Sequence, residues 1–232
     1  MNKALRALAR TALLATLFVL ATYLTLTIQP YVSNTTTFNK TLGLESPLII
    51  GGYGLYLNLT AIITNAVLVA TAYLMLARGK PRSGLTRYLL GIIAVYAILS
   101  ATLYLAVTAN PAQACTSIPM NLDSIATFTV SIIIGSVTPL VYAHEKRWRV
   151  GSDWKPLLFT LYASIVVGSL IIDVATALAL HPIPQLILGA CMGSVTIGAY
   201  GPIDGLVTAP PLGLLAGYIV LDPIRTDGFA CA

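Results

Sequence analysis

Side chains able to do acid–base or ligand chemistry are scarce in this chain, and one stands out by its setting. Asp173 interrupts VGSLIIDVATALALH, residues 167–181, a run with no Lys or Arg. A charge at the centre of a membrane helix costs about 2.5–3.5 kcal/mol on insertion scales. A carboxyl group placed there is neutral, hydrogen-bonded or bound to a cation. On a 3.6-residue helix, positions i−11, i−4 and i+3 share its face. Those positions hold Tyr162, Ser169 and Thr176, so the segment carries one polar stripe that should point into a bundle.

Two other segments carry comparable stripes. Asn58 and Asn65 lie seven residues apart, and Thr127, Ser131, Gly135 and Thr138 follow at spacings of 4, 4 and 3. Counted inward from the outer surface, Asn58 and Asp173 reach comparable depths and could meet. A proton or cation site drawn from Asp173, Asn58, Ser169 and Thr176 is the sharpest chemistry these residues allow. A protonated carboxyl with a purely structural role is the plain one. Asp204, in the break GPIDG (Gly201–Gly205), is the second candidate, because broken membrane helices expose backbone groups to ions. The alternative is an ordinary turn between two short spans.

Absences narrow the chemistry. The chain has no HExxH, GxSxG or CxxC, no DxxxD pair for a magnesium diphosphate, and no Lys after Lys155 to form a Schiff base in a last helix. GACMGSVTIGAYGPIDG is Gly-rich but lacks the Lys-Ser/Thr of a phosphate loop. The only histidines, His144 and His181, fall on opposite sides of the membrane and cannot share a haem. No metal site and no cofactor is expected. With eight acidic residues and two histidines in the whole chain, catalysis has little to build with.

The elements that must position these residues are membrane helices. Of 232 residues, 57% are hydrophobic and 9% charged, against about a quarter charged in soluble domains. The fold class expected is all-α, a polytopic transmembrane bundle forming one domain over residues 1–232. Spans are drawn at about 11–29, 48–76, 88–108, 123–143, 156–180, 185–200 and 206–221. Seven spans is the first reading, and six plus a re-entrant Gly/Pro-rich hairpin the second. The 37 residues from Gln185 to Leu221 leave both last spans short, and a hairpin there would need shielding from lipid. The first span could also be a cleaved signal peptide, but its length and the lack of a clean cleavage site favour retention.

Three basic stretches, MNKALRALAR, ARGKPRSGLTR and HEKRWRVGSDWK, hold eleven of the thirteen Lys and Arg. By the positive-inside rule they are cytoplasmic, which puts the N-terminus inside and, with seven spans or six plus a re-entrant hairpin, the C-terminus outside. Trp148 and Trp154 flank the last basic loop, as interfacial aromatics do. The outer segment YVSNTTTFNKTLGLES carries N-x-Thr sequons at Asn34 and Asn39, candidates for glycosylation. Cys115 and Cys231 would then both face an oxidising compartment and could pair, while Cys191 stays buried. Gly189/Gly193 and Gly213/Gly217 are small-xxx-small pairs suited to close helix packing.

The function expected first is a non-enzymatic, multi-pass cell-membrane component of a larger complex, of respiratory, secretion or translocation type. The alternative is a small ion- or proton-coupled transporter or channel working through Asp173. The partners expected are the lipid bilayer and other membrane subunits or further copies of the chain. The net charge of +5 reports membrane orientation rather than nucleic-acid binding.

Overall fold

The computed structural model describes residues 45–50, 53–77, 83–109, 118–147, 150–180, 195–198 and 204–227. Within them lie five long helices: α1 (Leu59–Leu76), α2 (Thr86–Ala109), α3 (Ile118–Glu145), α4 (Trp154–Leu180) and α5 (Gly205–Asp227). Each contains a stretch long and apolar enough to cross a membrane. The expected first span, 11–29, falls outside the described residues.

Helix α4 is the hub. It packs on α1, α2, α3 and α5, most extensively on α2 and α5, and it also touches the strand that precedes α5. The core runs along it through Leu157, Leu158, Leu161, Ile165 and Ile172, joined by Tyr96 from α2, Ile134 and Tyr142 from α3, and Leu221 from α5. The peripheral helices are covered far less. Only 17% of the membrane window of α1 or α2 is buried, against 56%, 50% and 44% for α3, α4 and α5.

Helices α3 and α5 cross where side chains vanish. A Cβ built on Gly135 would lie 2.3 Å from the carbonyl oxygen of Gly213. One on Gly213 would lie 2.3 Å from Ile165 Cδ1 and 2.8 Å from the Ser131 carbonyl oxygen. One on Gly217 would lie 2.7 Å from Leu161 Cδ2. Close backbone approach is the main source of helix affinity in lipid, where no hydrophobic effect separates protein from solvent.

A small sheet adds to the helices. Strands β1 (Glu45–Ile50) and β2 (Tyr53–Asn58) pair antiparallel with Ile50 opposite Tyr53, a two-residue connection at Gly51-Gly52. Strand β3 (Val195–Ile197) pairs parallel with the other side of β2. Pro47 sits on β1, an edge strand, where its missing N–H costs least. Two of the expected spans are corrected by these strands. The second span does not start at Leu48, because a hairpin occupies 45–58 and α1 begins at Leu59. Two six-residue runs separated by Gly-Gly are a hairpin pattern, and Asn58 then caps the helix. The sixth span, 185–200, is not helical through its last residues. Val195, Thr196 and Ile197 are β-branched, flanked by Gly198, and complete the sheet.

The neighbours of three glycines fix the direction of α5. Gly205 lies by Thr127 and Phe128, Gly213 by Ser131 and Gly135, and Gly217 by Leu158 and Leu161. Helix α5 therefore runs parallel to α3 and antiparallel to α4, and Asp227 ends at the face of the loops that follow α1 and α3. Cys115 and Cys231, the pair expected to form a disulfide, lie outside the described residues.

Candidate functional site

The candidate site is the end of the bundle where α1 and α5 begin and α4 ends. Both incoming helices are capped by side chains. Asn58 Oδ1 accepts from the N–H of Thr60 at 3.0 Å and of Ala61 at 3.3 Å, and from the Thr60 hydroxyl at 2.6 Å. Asp204 Oδ1 accepts from Leu206 N–H at 2.8 Å, and its carbonyl accepts from the Val207 and Thr208 amides and the Thr208 hydroxyl. Capping residues satisfy amides that would otherwise have no partner, and a carboxylate there also meets the positive end of the helix dipole. The reading of Asn58 as a mid-span residue is thereby corrected: it stands at the mouth of α1.

Gly198 sits at the centre. Its φ of +70° is a left-handed conformation that glycine adopts without penalty. A side chain there would also have no room, since a Cβ would lie 2.8 Å from Ala61 Cβ, 3.7 Å from Asn58 Cβ and 3.8 Å from Leu206 Cδ2. The first turns of α1 and α5 thus close on one glycine. Its N–H donates to Asp173 Oδ2 at 2.7 Å, the length of a charge-assisted bond. So Asp173, half-buried on α4, is tied to the sheet through the residue that follows β3. Gly198 thus touches both candidates, donating to Asp173 and lying against Asn58.

Several buried polar atoms near this junction make no hydrogen bond. Asn65, 6% exposed, donates its amide N–H to the Leu206 carbonyl at 2.9 Å, but its Oδ1 is unpartnered. Asn58, wholly buried, spends its oxygen on the cap and leaves Nδ2 without a partner. On α4, the hydroxyls of Thr176 and Tyr162 are likewise buried and unpartnered. The Ser169 hydroxyl approaches that of Tyr96 without reaching good bonding geometry. Tyr96 in turn lies 2.7 Å from Ser131 Oγ, and Ser131 donates to the Thr127 carbonyl at 2.6 Å, so the tyrosine is the donor to the serine. An unsatisfied buried polar group costs about 1–3 kcal/mol.

The structure therefore gathers Asp173, Asn58 and Asp204 at one end of the bundle, with Ser169 and Thr176 on the same face of α4 as Asp173. Gly213 lies at the α3–α5 crossing and Gly217 against α4. Asn34, Asn39, Cys115, Cys191, His181, Gly189, Gly193 and Cys231 lie outside the described residues. His144 is exposed at the opposite end. Among the described residues, no group of three His, Cys, Asp or Glu could hold a metal ion. Gly198 and Tyr96 were missed by sequence reasoning. Tyr96 had no signal, but Gly198 ends a β-branched triplet, a mark of a strand closing in a turn.

The far end of the bundle carries its own polar network. Asp153, 8% exposed, accepts from the Tyr142 hydroxyl at 2.7 Å, and Glu145 on α3 takes both Arg87 and the Tyr88 hydroxyl from α2. Lys146 stands 5.7 Å over the Tyr142 ring and Lys155 5.4 Å over Trp154. Between the two ends, an apolar cleft of about 530 Å³ opens between α1 and α4, bounded by Ala66, Ala70, Tyr73, Phe159 and Leu170, with Asn65 at one side. The chain matches no protein-family model, no curated protein and no solved structure.

Proposed function

We propose that this chain is a non-enzymatic, multi-pass protein of the cell membrane that works by binding a proton or a cation at Asp173, as a small coupled carrier does. One observation carries this reading: a half-buried carboxyl group on a helix apolar enough to cross a membrane is bonded to the Gly198 amide, beside the first turns of α1 and α5. Irregular backbone at membrane depth belongs where protein or a polar cavity shields it, and interrupted elements of that kind hold the ion sites of many transporters. The outward faces of α1 and α2 are apolar, and their hydroxyls at Thr71 and Thr102 return to carbonyls of their own helices. The polarity of the described spans is thus concentrated inside.

The test is reconstitution in vesicles with an imposed proton or alkali-cation gradient, wild type beside Asp173→Asn. The variant should retain its folded yield, because a neutral amide can still accept from Gly198, and should lose at least tenfold in gradient-dependent flux. Equal flux in the two proteins would end the proposal.

A second reading, the membrane component of a larger assembly, draws on a different observation. Helices α1 and α2 leave most of their length uncovered, with Ile63, Val67, Leu74, Ile98 and Leu105 all about 60% exposed or more. Partner helices would cover these faces as well as lipid does. Native mass spectrometry after gentle extraction separates the two, since a stoichiometric second chain supports the assembly and a bare monomer does not.

A further inference from the structure

Helix α5 carries Pro210 and Pro211 within its length. Proline has no N–H, so Pro210 leaves the Leu206 carbonyl without the donor that an α-helix supplies four residues on. Asn65 of α1 takes that place, donating Nδ2 to the carbonyl at 2.9 Å. The bond fixes which way the amide faces, because a carbonyl can only accept. Its other end, Oδ1, is thereby an acceptor, buried and without a partner among the described residues.

Asn65 also lies on the wall of the apolar cleft between α1 and α4. The lining runs from Ile62 to Tyr73 on α1 and from Phe159 to Leu170 on α4, about 16 Å of each helix. Ala66 and Ala70 are spaced as a small-xxx-small pair that would let two helices close, yet both stay exposed. The Tyr73 and Phe159 rings stand edge to face at one end, 5.6 Å apart, and Leu206 stands at the other. The space left, about 530 Å³, is that of a small-ligand site.

The lining selects among occupants. Among the described residues no Lys, Arg, His, Asp or Glu borders the cleft, so neither an anionic headgroup nor an ammonium group meets a counter-charge. A quinone or an ester, whose oxygens only accept, offers Oδ1 nothing. An apolar body carrying one neutral donor matches both the walls and the unpartnered oxygen.

We propose that the cleft binds a long-chain alcohol drawn from the bilayer, its chain lying along Ala66 and Ala70 and its hydroxyl donating to Asn65 Oδ1. The site is separate from Asp173 and does not depend on what that residue carries. Within hydrocarbon neither the hydroxyl nor the amide oxygen has water to turn to, so each gains a partner it otherwise lacks. Because Oδ1 is buried, α1 gives way slightly as the hydroxyl arrives. With only 17% of its membrane window buried, that helix has little packing to lose.

Photolabelling of the full-length protein in phosphatidylcholine vesicles tests this, with hexadecanol carrying a diazirine on its chain as the probe. Mass spectrometry should find the label within 62–73 and 159–170, saturable and displaced by plain hexadecanol. Hexadecyl methyl ether has the same chain and no donor. It should displace the label about fivefold less well, the worth of one hydrogen bond between apolar segments. Asn65→Leu should bring the alcohol down to the level of the ether. Equal displacement by alcohol and ether in wild type would overturn the proposal, leaving a gap that any lipid chain fills. Label absent from both segments would overturn it as well, because residues 11–29 or a second copy would then cover the cleft. The alcohol–ether comparison is made on wild type and decides the matter even if Asn65→Leu does not fold.

Discussion

The two ends of the bundle each hold a carboxylate away from water, and they treat it differently. At the end with the basic loops, Asp153 receives a tyrosine hydroxyl, and cations stand nearby in Arg87, Lys146 and Lys155. At the other end, Asp173 receives the Gly198 amide, and amides and hydroxyls nearby include several without partners. The first arrangement suits a water-facing rim, since long basic side chains reach solvent easily. The second leaves several buried polar atoms of Asn58, Asn65 and Thr176 unsatisfied, at a cost of about 1–3 kcal/mol each.

What joins the ends is the α3–α5 crossing, and the largest effect is expected from closing it. Gly213→Ala places a methyl within 2.8 Å of the Ser131 carbonyl oxygen and on top of Ile165 Cδ1. The side chain can rotate away but the backbone cannot, so the helices must separate. Overpacking of this kind costs about 1–3 kcal/mol, and we expect the upper end here. Thermal unfolding in detergent should show the loss, and Gly91→Ala, where a Cβ meets nothing within 4 Å, should be neutral or slightly stabilising. If Gly213→Ala leaves stability unchanged, the two ends are not held by this contact.

The helices and their polar stripes were legible from the sequence because hydropathy and the 3.6-residue period report burial directly. Ser169, Asp173 and Thr176 share a face of α4 for that reason alone. The sheet was not legible in the same way. Leu48 to Ile50 and Val195 to Ile197 are apolar enough to read as ends of membrane helices, and an 18-residue window does not notice a strand of three or six residues. The Gly-Gly pair at 51–52 carried the only local signal, and it competes with the common tolerance of glycine in membrane helices. The socket around Gly198 depends on contacts between residues about 140 apart in sequence, and no local pattern encodes those.

At the carboxylate end a smaller loss is expected from Asn58→Ala. The substitution removes three hydrogen bonds to the α1 cap, a change worth about 0.5–2 kcal/mol. It also removes a buried amide nitrogen that has no partner, which returns part of that cost. A net loss of about 1 kcal/mol should appear as a lower unfolding temperature. Asn58→Asp keeps the cap oxygen and restores most of the loss at neutral pH, provided the site tolerates a second carboxylate. If instead it loses more than Asn58→Ala, Asn58 faces Asp173 closely enough for like charges to repel.

The smallest effect is expected where charges are most conspicuous. Arg87 and Glu145 form an ion pair between α2 and α3 with side chains 62% and 37% exposed. Pairs this accessible are screened by salt and contribute about 0–1 kcal/mol, since two long side chains must also be held in one geometry. Arg87→Ala should therefore lower stability by less than Asn58→Ala does, and the difference should vanish in high salt. The contrast comes from depth, because a neutral amide cap inside the bundle has no water to replace it, whereas the guanidinium does. A large, salt-insensitive loss in Arg87→Ala would mean that the basic-loop end depends on its charges as closely as the other end depends on its amides.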